Sequence, residues 1–475
     1  MKLETIFEHC LDLVNIVLKS KTPSDAIVSE YFRQKKYIGS KERKIISEIV
    51  FMHLRFLEFS SFVTKNLLDK NLKLDIETNK AHLFSTLFIN IVLYPDNLIS
   101  IASTIEKLYS VSNGLEHLKK SIIDQTKKIF SFDKIQNLLF NIDEKYKTLK
   151  RLFKNTDEQK LKYEISKRLS IPDFVLESWS MFYPQIGINP YELAESLLYA
   201  SQFTVRVNNP KFSREGIIAE FGKIGYQSYP TKFSPYGITF RERVNIMQHP
   251  YYRNRVVEIQ DEGSQLICLA CNPQKNQKIL DACAGAGGKS LFFAFLMEDA
   301  GTIIANDVSF PKLNELCNRA RKAGFRSIKT NLLTIKERKT PLLKDNSFDI
   351  VLVDAPCSGI GTSRRNPMHK WWLSPKKLHR LTLKQYEMLK FYSQFVRPNG
   401  YLVYATCSLM PEENQFVAEK FLCENNKFTP EPLSPAFNAY NIDLPNLDPS
   451  SHQINLLPHI HSTDGFYIAK FKKAT

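Results

Sequence analysis

No stretch of this 475-residue sequence is apolar for long enough to cross a bilayer: the most hydrophobic run, residues 84–94, stops at Pro95-Asp96. The opening residues 1–8 already carry Glu4 and Glu8 and have no uninterrupted apolar core, so they do not read as a secretory signal. A membrane role is therefore not expected, and a cytoplasmic location is. Eight cysteines are present, but their spacing is uneven and several fall inside apolar runs, which argues for reduced thiols rather than a disulfide framework. Zinc-ligand spacing is missing as well. Cys268-Leu269-Ala270-Cys271 has the Cys-x-x-Cys form but no second pair, and His452, His459 and His461 lack cysteine partners, so no metal is expected. Internal repeats and low-complexity tracts are absent too.

What is there is a long, basic chain. Its length suggests about three domains, and 65 basic against 49 acidic residues give a formal charge of +16, which favours a polyanionic partner. Residues 1–145 read as all-helical: Ile6, Leu13, Val14, Val17 and Leu18 recur at helical spacing, as do Ile45, Ile46, Ile49, Val50, Leu54 and Leu57. Ser40 reads as an N-cap for one long amphipathic helix over residues 41–59, with Arg43 and Arg55 on a solvated face. Residues 146–254 read as a charged linker helix followed by a small α+β domain, with strand-like residues 204–208 and 237–240 among turn-forming prolines.

From residue 255 to 475 the pattern is α/β. Candidate strands at residues 278–283, 302–306, 327–330, 348–353 and 401–405 alternate with helical runs, as in a doubly wound parallel sheet. Two β-like pieces in residues 456–472, joined by Ser462-Thr463-Asp464-Gly465, should add a hairpin with an antiparallel strand. The first α/β strand runs into Cys283-Ala284-Gly285-Ala286-Gly287-Gly288-Lys289, and Asp307 closes the next strand, where a carboxylate can accept hydrogen bonds from ribose hydroxyls. That loop is neither a Walker loop nor Gly-x-Gly-x-x-Gly.

Two cysteines share a setting: Cys357 in Asp354-Ala355-Pro356-Cys357 and Cys407 in Thr406-Cys407-Ser408 each follow a buried strand-like run. Parallel sheets bind ligands at their carboxyl ends, so both thiols and Asp354 should share one crevice. A thiolate suits reversible addition to C6 of a pyrimidine, with Asp354 hydrogen-bonding the ring. Residue types alone do not say which thiol attacks. Just beyond, residues 355–386 lack any acidic side chain but hold Arg364, Arg365, Lys370, Lys376, Lys377, Arg380 and Lys384 with Trp371 and Trp372, a mixture suited to phosphates and stacked bases.

The motifs at 281–289 and 354–361, Thr406-Cys407-Ser408 with Glu413-Asn414, Gln260-Asp261-Glu262-Gly263-Ser264-Gln265, Arg206-Val207-Asn208, Arg364-Arg365-Asn366-Pro367, Leu457-Pro458-His459 and Asp464-Gly465-Phe466 resemble the RsmB/Nop/Sun family of RNA cytosine-5 methyltransferases. The resemblance covers roughly residues 160–472. The helical region, chiefly through Gly39-Ser40-Lys41-Glu42-Arg43, resembles the NusB-like RNA-binding module of the RsmB branch. The resemblance implies a Rossmann-like class I methyltransferase domain behind a small α+β domain and a NusB-like domain. It also implies a cytoplasmic enzyme that methylates small-subunit (16S) rRNA, with S-adenosyl-L-methionine as cofactor and RNA as partner.

It further makes Cys407 the nucleophile and Cys357 the thiol that assists release. Cys283, Ala284, Gly285, Ala286, Gly287, Gly288, Lys289, Asp307, Asn331 and Asp354 would line the cofactor pocket, and Asp354 would also hold the cytosine. Arg364, Arg365, Lys370 and Asn208 would meet RNA. Two departures stand out: Gly285-Ala286 replaces the family's usual Ala-Pro, and Asn331 stands where an acidic residue commonly faces the adenine. Transfer RNA as substrate, or a noncatalytic role in ribosome assembly with an idle cofactor pocket, remain alternatives; DNA methylation is disfavoured by Thr406-Cys407-Ser408 and the helical region. A monomer is the starting expectation.

Overall fold

The computed structural model describes residues 1–67, 76–151, 159–333 and 340–475. Packing divides it into two compact units, Met1–Ala200 with Thr362–Trp372, and Ser201–Gly361 with Leu373–Thr475. These units do not follow the expected boundaries at 145 and 254. Helices such as Asp173–Phe182, with Trp179 fully buried, pack within the first unit. The small sheet instead belongs to the second.

The first unit is helical. Helix Leu3–Lys19 buries Leu3, Ile6, Phe7, Cys10, Leu13, Val14 and Val17, the spacing that places side chains on one face of a 3.6-residue turn. They join one core with Ile45, Ile49, Leu87 and Ile101. The single helix expected over 41–59 is two, Ser40–Arg55 and Leu57–Leu67, because Phe56 leaves helical geometry (φ −100°, ψ 14°) and buries its ring. Gly39 rather than Ser40 is the N-cap, and Arg55 is buried rather than solvated. The expected linker corresponds to helices Phe132–Arg151 and Gln159–Arg168, and its residues 152–158 lie outside the described residues. Among the described residues no single helix is long and apolar enough to cross a membrane.

The second unit holds two sheets. Strands β1 (Phe203–Val207), β2 (Ser228–Pro230), β3 (Gly237–Phe240) and β4 (Val257–Ile259) form an antiparallel sheet in the order β2-β3-β1-β4. The large sheet is built from β5 (Lys278–Asp281), β6 (Thr302–Asp307), β7 (Ile328–Leu332), β8 (Phe348–Asp354), β9 (Val396–Thr406), β10 (Phe428–Pro430), β11 (Gln453–Leu456) and β12 (Phe466–Lys473). Its path is β10-β12-β9-β8-β5-β6-β7, with β11 also paired to β12.

The central run β9-β8-β5-β6-β7 is parallel and Rossmann-like in order, and composition accounts for its burial: Ile350, Val351, Leu352 and Val353 are all at most 1% exposed, as strands covered on both faces must be. β12 runs antiparallel to β9. The tail hairpin forms between β11 and β12, but helical turn Pro458–His461 lengthens its connection beyond the tight turn expected.

Candidate active site

β5 is flanked by β6 on one side and β8 on the other, so the chain reverses its winding direction beside β5. In open α/β sheets such a reversal opens a crevice at the carboxyl strand ends. Three acidic strand ends meet it: Asp281 on β5, Asp307 on β6 and Asp354 on β8.

The loop after β5 is shaped by glycine. Gly285 and Gly287 have φ of +55° and +86°, which side chains other than glycine's rarely adopt. An added Cβ at Gly287 would lie 2.3 Å from Leu316, whereas one at Gly285 would meet nothing within 4 Å and one at Gly288 only Gln260 at 3.8 Å. One face of the loop is thus seated on the fold and the other is open. Asp307 lies alongside, accepting the Gly285 N–H at 2.8 Å on one oxygen and the Ser309 N–H at 2.9 Å on the other. Each oxygen keeps a lone pair for a further donor. An open glycine cradle beside a carboxylate fits a nucleoside cofactor.

Asn331, at 8% exposure, turns inward and donates Nδ2 to Asn306 Oδ1 at 2.7 Å. Arg319, which motif reading missed, donates to the Ala286 carbonyl at 2.6 Å and to Glu258 at 2.8 Å, gripping the loop where the family's proline is missing. Lys289 Nζ lies 2.6 Å from Asp354. Burial lowers the lysine's pKa, but the charge of Asp354 and the bond to it outweigh this, and the net shift is upward. Burial raises Asp281 to about 6, against the bond it accepts from Ser290. Burial also pushes up the Cys283 thiol, helped by Asp354.

β8 and β9 are adjacent and parallel, and the loops that follow them bring Cys357 Sγ within 3.3 Å of Cys407 Sγ. Backbone contacts bring the two loops together. Gly361 N donates to Cys407 O at 3.0 Å, Gly465 N donates to Gly361 O at 2.8 Å, and a Cβ at Gly361 would fall 2.1 Å from Gly465 O. The Cys357 thiol is pushed up by its hydrogen bond with Cys407, by burial and by the charge of Glu413. A protonated thiol beside a second thiol, with Asp354 at the end of β8 paired to Lys289 on the helix Gly288–Leu296, can assist attack on a ring carbon and later proton movement.

Behind the thiols sits Glu413, fully buried. It accepts from Ser358 N at 2.8 Å, Ser358 Oγ and Ser408 Oγ at 2.5 Å each, and Gln385 Nε2 at 2.9 Å. Its place in Glu413-Asn414 was visible in the sequence; its role as a hub was not.

The expected RNA contacts are redistributed. Lys370 is 1% exposed and donates Nζ to Arg55 O at 2.8 Å, and Asn208, also 1% exposed, donates to Arg255 O at 3.1 Å. Arg364 is 9% exposed and donates to Ala200 O at 2.9 Å, while Arg365 is half-buried. Lys370 and Asn208 therefore do not offer the accessible surface assigned to them, because backbone carbonyls in folded cores already hold their polar ends. Trp371 and Trp372 pack against the helical core rather than standing as open stacking faces. Lys376, Arg380 and Lys384 are exposed, spaced four apart on helix Pro375–Ser393. Among the described residues no cluster of His, Cys, Asp and Glu is arranged to hold a metal ion.

Residues 268–472 match the family model for 16S rRNA methyltransferase RsmB/F. The chain is 30% identical over 339 residues to a probable ribosomal RNA small subunit methyltransferase B of Synechocystis, covering 70% of this chain and 72% of the relative. It is 27% identical over 443 residues to ribosomal RNA small subunit methyltransferase B of Pasteurella multocida, covering 92% and 89%. The crystal structure of PH0851 shares the fold with a TM-score of 0.71 at 21% identity, covering 98% of both chains.

Proposed function

Since the chain belongs to the RsmB/F (Nop/Sun) family of S-adenosylmethionine-dependent rRNA cytosine-C5 methyltransferases, we propose that it methylates C5 of a cytosine in small-subunit (16S) rRNA in the cytoplasm. The observation carrying this reading is the 3.3 Å approach of Cys357 and Cys407 at the ends of adjacent strands, with Asp354 on the same arm as Cys357.

S-adenosylmethionine, when bound, supplies the electrophilic methyl group. The glycine cradle at 285–288 would hold it, with Asp307 on its ribose hydroxyls, whereas Asn331 is turned inward onto Asn306 and is not assigned to the adenine. Cys407, as thiolate, forms the S–C6 bond, and the C5=C6 electron pair shifts to make C5 nucleophilic. Asp354, paired with Lys289, hydrogen-bonds the pyrimidine and orients it. After C5 has gained the methyl group, water takes the C5 proton, the freed electron pair restores the C5=C6 double bond, and the Cys407 thiolate leaves. Cys357 assists that release. The target base must leave its stack to reach the thiols.

RNA containing 5-fluorocytosine has no C5 proton to lose and should trap a covalent adduct. The adduct is expected to vanish in Cys407→Ala and persist in Cys357→Ala; the opposite result would reverse the two roles. Mapping 5-methylcytosine in rRNA with and without the protein identifies the substrate. A site that changes only in transfer RNA would overturn the rRNA assignment.

A further inference from the structure

We propose that Glu413 is the positioning residue of the thiol pair, setting the approach of Cys357 to Cys407 by holding the serine that follows each. The inference rests on the methyltransferase reading above and deepens it. Ser358 and Ser408 stand immediately after the two cysteines, on loops that follow different strands. Both hydroxyls converge on Glu413 Oε2, while Ser358 N and Gln385 Nε2 converge on Oε1. A carboxylate has about four lone-pair sites, and these four neutral donors occupy them. The hub is itself anchored, since the Tyr404 hydroxyl donates to the Glu413 carbonyl at 2.5 Å and Asn414 accepts Thr406 Oγ1 at 2.6 Å and donates to Ser408 O at 3.0 Å. Gln385 also donates to Pro356 O at 3.0 Å, so the same hub reaches the residue before Cys357.

A buried charge held only by neutral hydrogen bonds is costly unless every donor is in place, so it acts as a selective staple. Glutamine keeps the shape but removes the charge, and its N–H groups facing the two serine hydroxyls would oblige these to accept rather than donate. The carboxylate's second effect is electrostatic. The titrating groups facing Cys357 are Cys407 across the pair, with Glu413 and Tyr404 beneath it, and the Glu413 charge disfavours a Cys357 thiolate. That charge adds to the hydrogen bond with Cys407 and to burial in favouring the thiol form of Cys357.

The test uses the full-length protein and two readouts. Iodoacetamide alkylation of Cys357 and Cys407, followed by mass spectrometry from pH 6 to 10, reports the thiols without any RNA. Trapping on 5-fluorocytosine RNA reports attack. In Glu413→Gln, Cys357 should alkylate about tenfold faster at pH 8, its profile moving to lower pH by about one unit, and adduct formation should slow at least tenfold with cofactor affinity within twofold of wild type. Glu413→Asp should recover the wild-type direction of the pH profile, which a purely structural role would not require. Superimposable alkylation profiles and equal trapping rates would overturn the proposal.

Should the glutamine variant not fold, Ser358→Ala/Ser408→Ala keeps the acid and removes both hydroxyl staples. Trapping slowed at least tenfold supports the assignment, and an unchanged rate overturns it. If the wild-type protein traps no adduct, the methyltransferase reading fails, while the alkylation profiles still decide the role of Glu413.

Discussion

Asp281 ends the first strand of the large sheet with a carboxyl that is 1% exposed and whose Oδ1 has no hydrogen-bond partner. Its pKa of about 6 lies above the usual carboxylate value of 3.8. A carboxyl whose pKa is raised on folding stabilises the fold fully below its unfolded pKa, and that contribution is lost as pH rises through the folded one. Two units correspond to about 3 kcal/mol. Urea midpoints of wild type and Asp281→Asn should therefore diverge in favour of the variant between pH 4 and 7. A gap that does not change with pH would contradict the assignment.

At the same scale, the two thiols were legible because each follows an apolar run whose end marks the carboxyl edge of a buried strand. Their order was not, since residue type and spacing treat them alike. Nor was Glu413 legible as the group that ties the serine after each thiol, because it acts through folded proximity between positions 358, 385 and 408 that local pattern does not encode.

Among elements, the cofactor loop departs from its family where Gly285-Ala286 stands, and the helix Phe310–Ala323 supplies the restraint through Arg319. A charge-assisted bond to a carbonyl is worth about 1.5 to 3 kcal/mol. Arg319→Ala should weaken S-adenosylmethionine binding roughly tenfold or more by calorimetry, with RNA affinity unchanged. Glu258→Gln should act in the same direction but less.

Helix Pro375–Ser393 works from two faces: Gln385 turns inward to the thiol loops, and Lys376, Arg380 and Lys384 face solvent. If this ridge tracks phosphates, replacing all three by alanine should weaken RNA binding and lower the slope of log affinity against log salt by about one per side chain. Lys370→Met should leave that slope unaltered, because its ammonium is buried against Arg55. The basic stretch was legible as a stretch. Which of its cations reach solvent was not, because Lys370 is claimed by a carbonyl 315 residues away. The break at Phe56 escaped periodicity for a similar reason, since apolar spacing continues through a residue that the core pulls out of the helix.

For the whole molecule, alternation of strands and helices after residue 255 sufficed to read the parallel sheet, and helical spacing sufficed for the first region. The partition was harder. Sequence-local composition places breaks where the chain changes character, whereas packing assigns Thr362–Trp372 to the helical unit although it lies deep within the α/β sequence. A fragment of residues 201–475 would retain that segment without its core, leaving Met368, Trp371 and Trp372 stripped of their apolar neighbours and Lys370 of its carbonyl. Such a fragment should aggregate or bind a hydrophobic dye. Adding residues 1–200 should suppress this in size-exclusion chromatography.

The same segment bears on synthesis at the ribosome. The helical unit is encoded first, yet its last packing piece is Thr362–Trp372, which leaves the exit tunnel only after most of the other unit has been made. The two halves cannot mature strictly in order of translation. For the same reason, no single recombination event between genes could transfer the helical unit whole.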